Sequence, residues 1–299
     1  MPRKFAGRLA PWTLTLILSA CGFALPLAAQ SSSSAPPQAA ANQAAMGAPP
    51  VLWIEREEVL PGKMEAHTSV VHKILEQYSL HHIVFRVLGM TSVLPDSNEA
   101  LFLIHFNSFA EIDEFQNNFK NFPEDLRALL LDLESQESEL HAAKHSMATV
   151  YRDDLSYHAD AAAVARARFL WTCQFVVPAG HVPDFEADVK FLKGTYEKAG
   201  VDDHYFMYQE LAGAESQTFV VLRPMKALAD WDAAPAIGAK IAAALDDAGK
   251  QHLGRLWLGQ VVQGPGESVD RLYVLRPDLS QTSDKFAGFD PDFWHPKKQ

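Results

Sequence analysis

Acidic side chains are concentrated on one short segment of the chain. Glu55, Glu57 and Glu58 lie within four residues, in a stretch whose other residues are typical of a strand. Because side chains alternate along a strand, Glu55 and Glu57 point to the same face. Two carboxyl groups on an enclosed face shift each other's pKa and can act as acid and base. At an exposed sheet edge they would protect against aggregation instead, and the sequence leaves both interpretations open.

A histidine shares a second predicted strand with apolar residues. His105 alternates with Leu101 and Leu103, so it is either a core residue or part of a binding site. Three further polar residues lie on other predicted strands, where alternation could turn them towards the same interior. A few polar groups in an apolar cavity are what orients a small ligand. The candidate ligand-binding residues are therefore Glu55, Glu57, Arg86, His105, Gln174 and Tyr208.

The sequence contains no motif of an established catalytic or metal centre. His-Glu-x-x-His, Gly-x-Ser-x-Gly, phosphate-loop and dinucleotide-binding patterns are all missing. His67 and His72 share a predicted helix but are separated by about 140° around it, so the two side chains cannot bind the same ion. Cys21 and Cys173 form no paired array, and we expect Cys173 to be buried and inert. The sequence predicts no metal site, identifies no cofactor and does not decide whether the protein is an enzyme.

The elements that must position these residues occur twice in the chain. A Leu-Trp pair at 52–53 recurs at 170–171, and in both copies a glycine follows nine residues after the tryptophan. An Arg-x-Asp-Leu-Ser segment at 152–156 recurs at 276–280. A start marker and an end marker that recur in the same order, about 120 residues apart, predict a duplicated module.

Hydrophobic periodicity predicts the order β-α-β-β-α-β in each copy, with an additional helix before the last strand. The predicted strands are 51–59, 82–88, 101–106 and 148–152 in the first copy, and 169–177, 205–210, 218–222 and 271–275 in the second. A long helix is predicted at 124–144, and another at 235–262 with a break near Gly249 or Gly254. One such sheet leaves an open face, and two copies can bury their open faces together and close a barrel.

This arrangement resembles the dimeric α/β barrel superfamily. That superfamily includes antibiotic-biosynthesis-type monooxygenases, haem-degrading monooxygenases, NIPSNAP proteins and chlorite-dismutase-like haem proteins. The resemblance covers roughly residues 51–280 and rests on the element order and the two recurring markers. The additional helix before the last strand is most similar to the arrangement in the NIPSNAP branch. It implies an α+β fold in which tandem ferredoxin-like repeats form a pseudo-dimeric α+β barrel, with a ligand or cofactor inside it or between sheet and helices. No local motif marks the superfamily's catalytic or haem-binding residues, so none is carried over.

The N-terminal segment predicts export. Arg3, Lys4 and Arg8 precede an apolar stretch at 12–25, and small residues follow at 28–29, which is typical of a signal peptide. Cleavage there would give a periplasmic or secreted protein. The segment that ends at Cys21 also fits a lipobox, in which case the protein would be anchored to a membrane at Cys21.

Charge and composition complete the prediction. A net charge of -11 repels nucleic acid and anionic lipid, so nucleic acid is not an expected partner and a membrane is one only through a lipidated Cys21. The predicted division is a signal peptide at 1–29, a disordered tether at 30–50, repeats at 51–160 and 161–280, and an aromatic tail at 281–299 that packs back onto the domain. The favoured function is binding of a small, largely apolar ligand in the barrel. The alternatives are a monooxygenase-like or haem-handling enzyme and a protein-interaction module, and no oligomeric state is predicted.

Overall fold

Eight strands follow the order expected from the duplicated sequence. The computed structural model describes residues 48–215, 217–257 and 268–296, so the predicted signal peptide, most of the tether and the end of the second long helix lie outside the described residues. The first repeat contributes β1 (Val51–Val59), β2 (Val87–Ser92), β3 (Glu99–Phe106) and β4 (His141–Tyr151). The second contributes β5 (Phe169–Val176), β6 (Phe206–Ala212), β7 (Thr218–Met225) and β8 (Val269–Gln281).

The strands close into one antiparallel barrel in the order β1-β3-β2-β8-β5-β7-β6-β4. Within each repeat the last strand lies beside the first, and the third separates the first from the second, which is the ferredoxin-like arrangement. The repeats meet at two seams, where β2 pairs with β8 and β4 pairs with β6. The expected α+β barrel built from two ferredoxin-like repeats is therefore confirmed.

Helices cover the outside of the barrel. The first repeat holds α1 (Met64–Leu80), α2 (Phe109–Lys120) and α3 (Glu124–Ser138), and α4 (Ala161–Ala165) joins the repeats. The second holds α5 (Val182–Ala199), α6 (Ala234–Ala244) and α7 (Asp247–Trp257), and α8 (Asp284–Ala287) and α9 (Pro291–Trp294) follow β8. Short 3-10 helices lie at Asp153–Leu155 and Leu228–Ala233. Within the ranges described, no helix is long and apolar enough to cross a membrane.

Strand alternation gives the sheet an inner and an outer core. On β1, Leu52 and Ile54 face the barrel interior together with Leu103 of β3. Val51 and Val59 face outwards and pack against the helix layer of the first repeat. The second repeat has an equivalent outer core that contains Cys173, and burial raises the pKa of its thiol. Cys173 is therefore buried, as the sequence predicted.

The recurring end markers hold the two seams together. The hydroxyl of Ser156 donates to the Arg152 carbonyl at 2.7 Å and accepts from the backbone N–H of Met207 at 2.9 Å. The hydroxyl of Ser280 accepts from the N–H of Gly89 at 2.9 Å in the same manner. Each serine thus links the end of one repeat to the second strand of the other, which explains why the segment occurs twice.

Several predicted element boundaries are wrong; the last strand, for example, runs to Gln281 instead of ending at 275. The second strand begins at Val87 because the turn after α1 places His82 at a φ of 55°, and regular pairing with β3 starts only afterwards. The helix predicted at 124–144 ends at Ser138, and its last residues belong to β4, which pairs with β1. The second long helix breaks earlier than predicted, since Leu245 is extended and the Asp246 carboxylate accepts from the N–H of Gly249 at 2.8 Å.

The C-terminal tail packs on the barrel, as its aromatic content predicted. Trp294 is buried, and its indole N–H donates to the carbonyl of Ala165 at 2.8 Å. The guanidinium of Arg168 lies 3.9 Å from the ring centre of Phe293 and also contacts Asp290. These contacts place α8 and α9 against the chain that connects the two repeats.

Candidate functional site

A cavity of about 470 Å³ opens at the end of the barrel where β1 and β5 begin. Its walls are largely apolar, and its volume falls within the range of ordinary small-molecule sites. The interior faces of the strands supply Leu52, Leu103, Leu170, Phe206 and Leu222. The segments that cross the opening supply Ala48 and Pro49 before β1, Val164 of α4, and Phe286 and Phe289 of the tail.

His105 lines this cavity, and one nitrogen of its ring is unpaired within the described ranges. Its Nε2 atom is buried and has no hydrogen-bond partner among the residues that the structure describes. Burial lowers the pKa of His105, and the positive charge of Arg86 lowers it further. The ring is therefore neutral at pH 7, so it can donate or accept a single hydrogen bond towards a bound molecule.

Two more predicted residues line the cavity with His105. Arg86 donates to Glu111 at 2.6 Å, which fixes the guanidinium at the opening. Glu111 also accepts from the backbone N–H and side chain of Asn107, another lining residue. Tyr208 donates to the Pro49 carbonyl at 3.1 Å, and burial raises its pKa well above the usual value. The cavity thus combines a neutral imidazole, a neutral phenol and a cation at its opening.

The remaining predicted site residues lie elsewhere. Glu55 and Glu57 share a face, as alternation predicts, but it is the outer face of β1, beneath the helices. Gln174 has the parity of Leu170 and so belongs to the inner face, yet it is not among the residues that line the cavity. The structure brings together Arg86, His105 and Tyr208, and separates them from Glu55, Glu57 and Gln174.

Glu57 belongs to a cluster of charged side chains between the sheet and the helix layer. It meets His67 of α1, Glu137 of α3 and His141 of β4, and one potential ligand atom from each lies within 4.8 Å of the others. The carboxylate Oε2 of Glu57 lies 2.8 Å from Nε2 of His67 and 3.4 Å from Nε2 of His141. Oε1 of Glu137 lies 3.6 Å from the first nitrogen and 3.8 Å from the second. This group could hold a metal ion, and we call it the outer cluster.

Charges beside the outer cluster complete its electrostatics. The ammonium of Lys144 lies 2.6 Å from Oε1 of Glu55 and 3.0 Å from Oε1 of Glu57. Burial would raise the pKa of Glu57, but contacts with His141, His67 and Lys144 hold it well below its usual range. Burial would lower the pKa of His67, but hydrogen bonds with Glu137 and Glu57 raise it to about 9. Burial raises the pKa of Glu55 despite the proximity of Lys144.

Sequence reasoning missed this cluster because it placed His141 on the wrong element. The predicted helix at 124–144 would have placed His141 and Lys144 in the helix layer instead of on a strand beside β1. In the structure β4 pairs with β1 from Val59 and His141 onwards, which brings these side chains beside Glu55 and Glu57. The four-residue spacing of Glu137 and His141 was a signal that could have revealed the cluster. Residues at this spacing can share a site when both lie on one helix, and also when the second lies just after the helix ends.

The fold and the cavity define a tandem α+β barrel with an open, largely apolar cavity at its end. No family model matches the chain, and no curated protein matches it. Among solved structures, an anthrone oxidase-like protein shares 15% identity at a TM-score of 0.47, with 76% of this chain and 91% of that chain covered.

Two further solved structures are similar. A candidate monooxygenase from Fusobacterium nucleatum subsp. nucleatum shares 9% identity at a TM-score of 0.49, over 76% of this chain and 93% of that one. A mutant chlorite dismutase from Candidatus Nitrospira defluvii shares 10% identity at a TM-score of 0.43, over 81% of this chain and 95% of that one. Similarity at this level carries no information about activity, so function has to be argued from the site.

Proposed function

We propose that the protein binds a small, largely apolar molecule with an acidic or hydrogen-bond-accepting group in the cavity at the end of the barrel. The observation that supports this most is the buried, unpaired Nε2 of His105 in an apolar wall. A buried polar atom without a partner costs free energy, and a ligand that supplies the partner recovers it. The apolar walls would hold the body of the ligand.

Charge around the cavity favours an acidic or acceptor group over a cationic one. Arg86 and Lys285 both line the opening, whereas the lining residues include no aspartate or glutamate. A carboxylate, phenolate or quinone oxygen could accept hydrogen bonds there. A cationic ligand would meet the charge of Lys285, since the Glu111 carboxylate that pairs with Arg86 is not itself a lining residue.

A fluorescent probe tests the proposal directly. We expect 8-anilinonaphthalene-1-sulfonate, an anionic aromatic molecule, to bind the folded protein with one site per chain. Val164→Trp fills the cavity from α4 and should weaken binding at least about tenfold, since the probe would lose its space. Gln174→Ala is the matched control, because Gln174 lies on the inner face outside the cavity. Equal affinity in wild type and Val164→Trp would contradict the proposal.

Haem handling is a second candidate for the same cavity. A proximal haem ligand is an imidazole in a largely apolar wall, and His105 lines such a wall with a nitrogen that has no partner in the described part of the chain. Titration with hemin distinguishes the candidates. A Soret band of a ligated haem that disappears in His105→Ala would favour haem, whereas probe binding without such a band favours the colourless ligand. The monooxygenase-like alternative depends on the same cavity, because the reaction of such an enzyme would have to take place there.

We propose further that the protein is exported. Support comes from the basic residues Arg3, Lys4 and Arg8 and the apolar stretch at 12–25 that follows them. N-terminal sequencing of protein from its native host should begin near residue 30, or find lipidated Cys21 as the first residue. Protein that retains Met1 in a cytoplasmic fraction would contradict both forms of the proposal.

A further inference from the structure

The outer cluster has the dimensions of a metal site. Four distances join its two histidine nitrogens to its two carboxylate oxygens, and they run from 2.8 to 3.8 Å. Bonds of about 2.0–2.1 Å to a tetrahedral zinc ion place neighbouring ligand atoms roughly 3.3 Å apart. The same four atoms account for all four distances, and all four atoms lie within 4.8 Å of one another.

Hydrogen bonding alone explains these positions poorly. Charge-assisted hydrogen bonds are typically about 2.7–2.9 Å long, and only the contact between His67 and Glu57 is that short. Nε2 of His141 is buried and has no hydrogen-bond partner in the described part of the chain, although it faces two carboxylates. Glu57 and His67 are completely buried, so an incomplete set of contacts there is costly.

The second repeat shows that the fold does not require the cluster. The spacing that separates Trp53 from Trp171, and Gly62 from Gly180, pairs Glu57 with Phe175 and His67 with Phe185. Those two rings pack together with their centres 5.6 Å apart in the outer core of the second repeat. The same scaffold position is therefore filled by an apolar pair in one half and by a charged group in the other.

From this geometry we propose that Glu57, His67, Glu137 and His141 bind one divalent first-row transition metal ion, with zinc as the best match. Two imidazoles and two carboxylates without a thiolate suit zinc, iron, manganese or cobalt rather than a soft ion. Once the ion has displaced the proton of His67, two carboxylates and two neutral imidazoles offset the charge of a divalent ion. Four protein ligands in a buried position make a closed, structural site.

Neighbouring groups support the proposed ligands. Lys144 holds Oε1 of Glu57, which leaves Oε2 directed at the two histidines. Glu55 in turn holds Lys144, so this second pair is electrically neutral. Contacts of this kind orient metal ligands in proteins. The ion would join β1 and β4 to α1 and α3, on the opposite face of the sheet from the barrel cavity.

Metal titration of the full chain tests the proposal. Purified protein, freed of any affinity tag and treated with a chelator that is then removed, is titrated with Zn²⁺ by calorimetry and with Co²⁺ by absorption. We expect one ion per chain, a rise in the unfolding midpoint with Zn²⁺, and the intense visible bands of tetrahedral Co²⁺. His141→Ala should weaken Zn²⁺ binding at least about 100-fold, since losing a ligand exceeds the effect of losing an outer contact. His145→Ala, on the same strand but exposed, should bind normally.

A double variant keeps the test valid if single variants fold poorly. E57F together with H67F copies the apolar pair of the second repeat, and we expect it to fold without responding to Zn²⁺ or Co²⁺. Wild-type protein that binds neither ion, or binds them no better than the double variant, would overturn the proposal. Binding of the anionic probe in the barrel cavity should be the same in wild type and double variant, so failure here is distinguishable from failure of the proposed cavity function.

Discussion

His105 is the proposed ligand contact, because burial and Arg86 lower the pKa of its ring and one ring nitrogen has no partner among the described residues. We expect His105→Ala to weaken binding of the anionic probe while costing about 1 kcal/mol of stability or less, since Nε2 loses no partner within the protein. Urea unfolding and a fluorescence titration of the same variant check both parts. A stability loss of about 1–3 kcal/mol with unchanged affinity would show that His105 is a core residue instead.

The same residue predicts a pH dependence of stability. Burial and Arg86 lower the folded-state pKa of His105 below the ordinary 6.5, so between the two values the unfolded chain binds a proton that the folded chain does not. Stability from His105 is therefore complete above pH 6.5 and is lost as the pH falls towards the folded-state pKa. Wild type should lose more unfolding free energy than His105→Gln between pH 7.5 and 5.5. Parallel curves for the two proteins would contradict this.

Sequence reasoning identified residues better than it identified their surroundings. Strand alternation correctly placed His105 beside Leu103 on the barrel interior, and Arg86 and Tyr208 line the same cavity. Alternation also put Glu55 and Glu57 on one face, but it cannot say which face of a sheet is covered by helices. Because Glu137 and His141 lie 80 and 84 residues after Glu57, only the pairing of β4 with β1 brings the outer cluster together.

At the scale of elements, the β2–β8 seam depends on a glycine. A side chain at position 89 would collide with the backbone of Leu279 in β8. We expect Gly89→Ala to destabilise the protein by about 1–3 kcal/mol or more, because the backbone must move apart where Ser280 joins the strands. The measurement is the free energy of unfolding in urea.

A second glycine provides the matched control for this seam. Gly194 lies in α5 with open space around the position of an added Cβ. Gly194→Ala should leave stability unchanged or raise it by up to about 1 kcal/mol, because alanine is the better helix former. A Gly89→Ala protein that is as stable as the Gly194→Ala control would mean that the seam tolerates a methyl group and that the collision is relieved at no cost.

The order of elements could be predicted from the sequence because the markers and the hydrophobic periodicity occur twice. The boundary between helix and strand at His141 could not be predicted in this way. Residues 141–147 contain Ala, Lys and Met, which favour helix locally. Pairing with β1 turns them into a strand instead, since a full edge of backbone hydrogen bonds outweighs a weak local preference. The error at this one boundary hid both His141 and Lys144.

At the scale of the whole molecule, the tail connects stability to the cavity. Trp294 anchors α9 near α4, and Phe286 and Phe289 of the same tail line the opening. We expect Trp294→Ala to lower the unfolding midpoint and to weaken probe binding, because the aromatic wall loses its anchor. Trp231→Ala is the control, since that side chain is 42% exposed. Unchanged probe binding in Trp294→Ala would show that the wall is held independently of the tail.

Because both repeats lie on one chain, the barrel can fold in a unimolecular reaction instead of a bimolecular one. A barrel assembled from separate subunits is subject to mass action and comes apart on dilution. Here the two halves meet within one molecule. The connecting chain sets their effective concentration, and dilution of the protein does not change it. The urea midpoint should stay constant over a hundredfold dilution, about the range that would expose a bimolecular step. Freed from exact symmetry, one half can also carry features that the other lacks, as the outer cluster of the first repeat does.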